Sequence, residues 1–442
     1  MTERKSDTSA DEIRKAITTR GLSSLRNMGN TCYLNAALQC LFSTNMLTSY
    51  FLNKKFEKIL IANSTQKIAS EERKKLKLPS HASVEVEPAQ IARELKGTMS
   101  YAYFKTVETW LSDTITIEPI TLKEIAGKHN ILFRGSAQND SQELLNCILD
   151  NIHEDLKAPV KVDFVDVPPN VINFRSNVKK YQIMMALSKN DDEKAELSKD
   201  YQNFLEQYPE EHAIHASLEY WGKYIKPSHS VIRDLFTGMT YTETRCNVCK
   251  IRSLAFEPFL MLSIGIPRSF STVKLTDCLR ENSSKSLLVG SDKYQCTNCK
   301  DKTDATQITY IWEAADILII HLKRFTSEMI GNYCRTDKNS TKIDFPLDDL
   351  DLNEYISPYN KKESKYELYG VVHQYGSLGG GHYIAYCKNA INNHWYEFDD
   401  SHVTYIEKEK VESEIVSNNA YILFYKKKYT QLDDTPDETP TP

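Results

Sequence analysis

Two side chains that could act as a nucleophile and its base, Cys32 and His382, lie near opposite ends of the sequence. Cys32 follows the turn 27–30 at the predicted start of a helix, where unpaired backbone N–H groups and the helix dipole favour a thiolate. A thiol paired with an imidazole carries out acyl transfer. Taken alone, Cys32 is more typical of a small buried apolar residue, so its role depends on the rest of the sequence.

His382 follows a run of three glycines, 379–381, and opens the alternating segment 382–386, which is typical of a strand. Glycine admits positive φ and leaves room for another chain to pass close to the imidazole. This arrangement suits a cleft that receives a slender substrate. A hairpin turn beside a structural histidine is the alternative for this segment.

Three polar residues could complete such a site: Asp399, Asp400 and Asn27. Asp399, at the end of the next predicted strand, would orient the imidazole, and Asp400 is the reserve for this role. Asn27 would present its side-chain amide to the developing oxyanion, with the backbone N–H of Cys32 as second donor. Paired aspartates and single asparagines are also ordinary turn residues, so these roles depend on the assignment of His382.

Four further cysteines form two C-x-x-C pairs, Cys246 with Cys249 and Cys296 with Cys299. Four thiolates satisfy tetrahedral Zn²⁺ and leave no open position, so we predict one structural zinc ion. A redox dithiol is the alternative for either pair, and the presence of two pairs disfavours it. The remaining cysteines are interpreted as buried or incidental thiols, and they are Cys40, Cys147, Cys278, Cys334 and Cys387.

The elements that must position these residues divide into helices in the first third and strands in the C-terminal half. Apolar residues at three- and four-residue spacing predict a helix from Thr31, with Asn30 or Thr31 as N-cap, and a second helix after Asp140, where Glu143 would complete a capping box. A charged stretch, 161–227, predicts a partly helical surface insertion. Short aromatic and β-branched segments predict strands at 366–374, 382–388, 394–398 and 420–425, and the fold class is α+β.

The composition is that of an ordinary globular protein, with 442 residues, 40% of them hydrophobic and 26% charged. A net charge of −5 argues against nucleic acid as a partner, and no apolar run is long enough to span a membrane. Scattered cysteines fit a reducing compartment, so we expect the protein to lie in the cytoplasm or nucleus. We also expect a monomer. We expect a disordered leader at 1–20, a folded domain at 21–428 and a disordered tail at 429–442.

Several segments together resemble the ubiquitin-specific proteases, a family of cysteine deubiquitinases. Residues 21–41 resemble the cysteine box of that family, and residues 380–386 with 395–400 resemble its histidine box. Residues 138–144 and 318–325 resemble two further landmarks. The matches run in the family's order from residue 21 to about residue 427.

The resemblance implies a papain-like thumb and palm with a β-rich, zinc-ribbon fingers subdomain at about 235–312. It implies hydrolysis of isopeptide or peptide bonds after the C-terminal glycine of ubiquitin, with ubiquitin and ubiquitinated proteins as partners. Cys32, His382 and Asp399 would form the triad, and Asn27 would be the oxyanion donor. The residues predicted to bind substrate are Gln138, Asp140, Gly380, Gly381 and Tyr383.

Two departures and two alternatives remain. Asn139 replaces the family's usual glutamine or glutamate, which bears on binding of the ubiquitin tail, and the insertion is longer than a minimal member needs. An inactive ubiquitin-binding scaffold of the same fold is the first alternative. A zinc-ribbon adaptor for nucleic acid is the second, and the acidic net charge disfavours it.

Overall fold

The computed structural model describes residues 20–112, 115–164, 166–269, 271–330, 333–360, 362, 364–377 and 380–429. The predicted leader, apart from Arg20, and the predicted tail, apart from Tyr429, lie outside these residues, as does Gly379 of the glycine run. In the part that is described, no helix has both the length and the apolar character needed to cross a membrane.

Helices dominate the chain as far as residue 236. In chain order the helices are α1 (Cys32–Phe42), α2 (Asn45–Leu52), α3 (Glu57–Lys75), α4 (Pro88–Leu95), α5 (Met99–Trp110), α6 (Ile120–His129), α7 (Ser141–Leu156), α8 (Pro169–Leu187), α9 (Asp191–Gln207), α10 (Pro209–Ile225), α11 (Val231–Phe236), α12 (Leu275–Asn282) and α13 (Val411–Ile415).

Strands dominate from residue 238 onward. In chain order the strands are β1 (Ser24–Leu25), β2 (Thr116–Ile117), β3 (Gly238–Cys246), β4 (Arg252–Phe259), β5 (Leu262–Gly265), β6 (Val273–Lys274), β7 (Ser286–Leu288), β8 (Tyr294–Cys296), β9 (Asp301–Thr303), β10 (Ala305–Glu313), β11 (Ile317–Lys323), β12 (Phe325–Ile330), β13 (Tyr333–Lys338), β14 (Ile343–Asp344), β15 (Leu350–Asp351), β16 (Lys365–Tyr375), β17 (His382–Lys388), β18 (Trp395–Asp399), β19 (His402–Tyr405) and β20 (Ala420–Lys427). The strands predicted at 366–374, 382–388, 394–398 and 420–425 correspond to β16, β17, β18 and β20.

The central sheet has eight strands, in the order β19–β18–β17–β16–β20–β11–β5 with β15 beside β16. Its strands pair antiparallel except for β5 and β11. Helix α1 packs against β17 and is buried along its whole length; it is mostly apolar, and its two buried amides, Asn35 and Gln39, are hydrogen-bonded. This packing places the first residue of α1, Cys32, near the first residue of β17, His382.

One cysteine pair begins at the end of a strand of a second sheet, and the other lies on a separate hairpin. The strand order of the second sheet is β4–β3–β10–β7, and β8 and β9 form the separate hairpin. Cys246 ends β3, and Cys296 ends β8. The base of this sheet packs against α10 through an aromatic and aliphatic cluster of Ala213, Met239, Tyr241, Phe256 and Trp312.

The predicted insertion contains three helices, α8, α9 and α10, and is therefore more helical than its charged sequence indicated. The helices are held together by a small core in which the rings of Phe174 and Phe204 stack with centroids 5.0 Å apart. A small number of apolar residues is enough to form this core, because each helix packs against its neighbours through one face only. The helices thus form a satellite to the main core.

Candidate active site

Cys32 is the first residue of α1 and has 3% of its surface exposed. Thr31 occupies the N-cap position, but its side chain serves the preceding turn instead, because its Oγ1 accepts a hydrogen bond from the N–H of Met28 at 2.8 Å. Asn30, the other predicted N-cap, has a positive φ of 52°. The first N–H groups of α1 therefore remain without a side-chain cap, next to the thiol.

His382 is held from the next strand by Asp399. Nε2 of His382 lies 2.6 Å from Oδ1 of Asp399, so Nδ1 is the ring nitrogen left for the hydrogen bond with Cys32. The pKa of His382 is raised to about 9. The largest cause is the hydrogen bond with the Cys32 sulfur; partial burial opposes it, and the hydrogen bond with Asp399 adds to it. The three side chains therefore interact in series.

Asp400 serves a different partner. Its Oδ2 accepts a 2.8 Å hydrogen bond from Nδ2 of Asn27, and its Oδ1 accepts a 2.7 Å hydrogen bond from Nδ2 of Asn35. Oδ1 of Asn27 in turn accepts hydrogen bonds from the backbone N–H groups of Gly29 at 3.0 Å and Thr31 at 3.1 Å. The orientation of the Asn27 amide is thereby fixed, and within the described part of the chain only one of its two N–H groups has an acceptor.

Gln138 spans the space between the nucleophile and the glycine turn. Its Nε2 lies 3.9 Å from the sulfur of Cys32 and also donates a hydrogen bond to the carbonyl of Gly381. The amide can therefore reach the position where an acyl group would be attached to the sulfur.

Asp140 is the N-cap of α7, and its Oδ1 accepts a 2.7 Å hydrogen bond from the N–H of Gln142. Its Oδ2 accepts a 2.6 Å hydrogen bond from the hydroxyl of Tyr421. Burial raises the pKa of Asp140. Tyr383, the neighbour of His382 on β17, is 1% exposed. Burial raises the pKa of Tyr383, and the nearby carboxylate of Asp140 raises it further.

The two described glycines of the turn differ in what surrounds them. A Cβ on Gly381 would lie 2.1 Å from the carbonyl oxygen of Tyr375, whereas a Cβ on Gly380 would meet nothing nearer than Oγ of Ser377 at 3.5 Å. Glycine at 381 is thus required by the chain's own hairpin. The sequence-based prediction attributes the glycines to the room that a substrate chain needs. That reason does not explain the glycine at position 381.

The four cysteines of the two pairs converge at one point. All four sulfurs lie within 4.8 Å of one another, with Cys246 3.9 Å from Cys299 and Cys249 3.7 Å from Cys296. A Zn–S distance of about 2.3 Å in a tetrahedron gives a sulfur–sulfur distance of about 3.8 Å, so the cluster fits zinc. The separations are far longer than the roughly 2.05 Å of a disulfide. Convergence of both pairs disfavours two independent redox dithiols.

Of the other cysteines, Cys40, Cys278 and Cys387 are buried, as predicted, and Cys147 is half-buried. The side chain of Cys334 lies outside the described part. Two residues of the site that sequence reasoning missed are Asn35 and Tyr421. Their signal was weak, because each is one of several polar groups on a largely buried element.

A thiol at a helix start, facing an imidazole and a carboxylate on a sheet, defines the class of papain-like cysteine hydrolases. The family described as "Ubiquitin carboxyl-terminal hydrolase" matches residues 23–425, and the chain belongs to this family. The predicted family and the α+β fold class are therefore confirmed. The enzyme class that the resemblance implied, a thiol-dependent ubiquitin hydrolase, is confirmed at the level of the family.

Relatives include "Probable ubiquitin carboxyl-terminal hydrolase R319" of Acanthamoeba polyphaga mimivirus, 28% identical over 92% of this chain and 90% of the viral protein. Human "Ubiquitin carboxyl-terminal hydrolase 2" is 30% identical over 92% of this chain. The chain spans 55% of that human protein and 35% of the Drosophila melanogaster protein "Ubiquitin carboxyl-terminal hydrolase Usp2".

Among solved structures, the fold resembles a chain of "Structure of the SAGA Ubp8/Sgf11/Sus1/Sgf73 DUB module bound to ubiquitin aldehyde". The TM-score is 0.60 at 22% identity, and the match covers 93% of this chain and 70% of that one. This likeness supports the fold.

Proposed function

We propose that this protein hydrolyses isopeptide or peptide bonds after the C-terminal glycine of ubiquitin, with Cys32, His382 and Asp399 as its triad. The observation that carries the proposal is the series of contacts from Cys32 through His382 to Asp399, which closes with a 2.6 Å hydrogen bond. The partners would be ubiquitin and ubiquitinated proteins.

In the first half of the reaction, His382 takes the thiol proton and the sulfur of Cys32 attacks the carbonyl carbon of the terminal glycine. The tetrahedral intermediate collapses when His382 returns the proton to the departing lysine amine. A thioester between Cys32 and ubiquitin remains. Water, deprotonated by His382, then hydrolyses the thioester and releases the free carboxyl group of ubiquitin.

Asn27 is proposed as the oxyanion donor, together with the backbone N–H of Cys32. The support is that Asp400 and two backbone N–H groups fix the amide plane of Asn27 while, among the described residues, only one of its two N–H groups has an acceptor. A donor that is oriented before the reaction stabilises the oxyanion without further reorganisation.

The ubiquitin tail is proposed to bind across Gln138, Asp140, Gly380, Gly381 and Tyr383. Ubiquitin aldehyde is bound in the Ubp8 module named above, which shares this fold. In our structure Gln138 bridges toward Gly381 above the nucleophile, so an entering tail would meet its amide first. We expect the passage between these residues to admit glycine and to exclude larger side chains.

One structural zinc ion is proposed at the four cysteines Cys246, Cys249, Cys296 and Cys299. The ion would hold the β8–β9 hairpin to the end of β3, because each side supplies two thiolates. A site with four protein ligands has no open position, so the metal would have no part in the hydrolysis. We further propose that the protein acts as a monomer in the cytoplasm or nucleus, independently of nucleic acid.

Cleavage of ubiquitin–coumarin amide tests the activity. We expect turnover by the wild type and none above background by Cys32→Ala. Binding of ubiquitin by the wild type without turnover would instead establish the inactive scaffold, which the triad geometry and the naming of the relatives as hydrolases disfavour. Defined diubiquitins would then reveal the preferred linkage.

A further inference from the structure

A groove of about 650 Å³ lies on the helical insertion, between α8 and α10. Its α10 side is lined at positions 215, 218, 219, 222, 223 and 226, the spacing of a single helix face. None of the residues that line it belongs to the candidate active site. The proposed hydrolysis therefore leaves this groove without a role.

The floor of the groove is apolar. Val171 and Leu218 line it, and Ile172, with 51% of its surface exposed, borders it. The ring of Phe164 borders the groove beside Gly222, where a Cβ would be in ordinary contact with that ring at 3.4 Å. Together these residues form a hollow that could receive an aliphatic or aromatic side chain.

Cations surround this floor. Arg175, Lys223 and Lys226 line the groove, and Lys179 follows Arg175 by one turn of α8. Among the described residues, Arg175, Lys179 and Lys226 form no salt bridge. Two carboxylates also line the groove, and one of them, Glu219, lies 3.9 Å from Lys223 and 3.7 Å from His215. The other carboxylate is Asp166.

His215 lies on the α10 side of the groove, and its pKa depends on the charges around the groove. Its pKa is lowered chiefly by burial; Glu219 opposes this, and Arg175, Lys179 and Lys223 lower it further. Cations from both helices, α8 and α10, thus lower the pKa of the same side chain. An unbalanced positive rim is notable on a protein whose net charge is −5.

We propose that this groove binds a short acidic segment of a partner protein that inserts one apolar side chain into the floor. Carboxylates of the segment would pair with Arg175 and Lys226, while the apolar side chain would displace water from Val171 and Leu218. Nucleic acid would use the cations and leave the floor empty. A second copy of this chain packed through the same groove would bring equal charges together.

Fluorescence anisotropy with three labelled peptides of equal length tests the proposal. The first carries a leucine and a phenylalanine flanked by aspartates and glutamates. The second has the same apolar pair flanked by lysines, and the third is acidic with serines in place of the apolar pair. The full chain is used in each case. We expect binding of the first peptide only, weakened by added salt.

Arg175→Glu with Lys226→Glu should weaken binding of the first peptide by about tenfold or more. The control is Lys194→Glu with Lys199→Glu on α9, which makes the same charge change outside the groove. Both double variants should keep wild-type cleavage of ubiquitin–coumarin amide or, should the wild type prove inactive, wild-type thermal unfolding. No binding of the first peptide at millimolar concentration, equal binding of all three, equal loss in both variants, or preferential binding of single-stranded RNA or self-association through the groove would overturn the proposal.

Discussion

Nδ2 of Asn27 donates a 2.8 Å hydrogen bond to Oδ2 of Asp400, a residue 373 positions later in the chain. Asp399, the residue immediately before Asp400, is hydrogen-bonded to His382 instead. Two adjacent carboxylates thus hold two different groups of the site, one beside the imidazole and one beside the proposed oxyanion. Asp400 adopts a positive φ of 49° directly after β18, and a carboxylate oxygen of each aspartate lies within 4.8 Å of the other and of a ring nitrogen of His382.

Replacing Asp400 should damage catalysis through Asn27. In Asp400→Ala, Nδ2 of Asn27 would lose its acceptor, and only the two backbone contacts of Oδ1 would still orient the amide. We expect kcat for ubiquitin–coumarin amide to fall by about 100-fold with a smaller change in KM. A variant with wild-type kcat would contradict this role.

The pKa of His382 should depend on Cys32 and Asp399. In the wild type this pKa is raised to about 9, first by the hydrogen bond with Cys32 and further by Asp399. Both Cys32→Ala and Asp399→Asn should therefore lower the pKa toward its usual range, and Cys147→Ala should not. NMR titration of the His382 ring measures the change. An unchanged pKa in Cys32→Ala would show that the two side chains do not interact.

The raised pKa of His382 also predicts how stability varies with pH. Because the folded state binds the proton more tightly than the unfolded state, this contribution is fully present below the ordinary histidine pKa of about 6.5. It is lost as pH rises through about 9. The side chain is 40% exposed, so the effect should be small. Denaturant unfolding at pH 6 and pH 10 should show a larger loss of stability in the wild type than in His382→Ala.

Gly381→Ala and Gly380→Ala form a matched pair. A Cβ at 381 would lie 2.1 Å from the Tyr375 carbonyl oxygen, and the turn would have to open, whereas 380 has space. We expect Gly381→Ala to lower the free energy of unfolding by about 1–3 kcal/mol and Gly380→Ala to change it little. Thermal unfolding measures both. Equal stability of the two variants would mean that the turn is less constrained than the structure shows.

Metal removal should loosen the β8–β9 hairpin from the end of β3. The purified protein should contain about one zinc per chain, and Cys296→Ser should lose it together with part of the thermal stability. Cys147→Ser, which changes a half-buried thiol outside the cluster, should keep the metal. Metal content by mass spectrometry tests this directly. A reduced, fully active preparation without zinc would refute the site.

Local sequence patterns predicted the elements that carry the chemistry. The apolar spacing after Thr31 predicted α1, and the helix begins at Cys32. The alternating segment after the glycines predicted β17, which begins at His382. Asp399, with Asp400 as the reserve, stays a prediction for the partner of His382; in the structure Asp399 is hydrogen-bonded to His382 and Asp400 to Asn27. Hydrophobic periodicity and turn residues are local features, so they can be recognised in the sequence.

Long-range polar contacts could not be predicted in the same way. Asn35 reaches Asp400 across 365 residues, and Tyr421 reaches Asp140 across 281. Neither pair has a spacing signal, because the contact exists only once α1, α7 and the sheet have packed. The reason for Gly381 was likewise misread, since the clash that forbids a side chain comes from Tyr375 on the opposite strand of the hairpin.

The central claim is that folding brings the sulfur of Cys32 and the imidazole of His382 together as an acyl-transfer centre. Reaction with a ubiquitin vinyl-sulfone probe, followed by peptide mass spectrometry, tests it most directly. We predict a single ubiquitin adduct on Cys32 in the wild type and strongly slowed labelling in His382→Ala. An adduct on a different cysteine, or equal labelling rates in the two proteins, would contradict the claim.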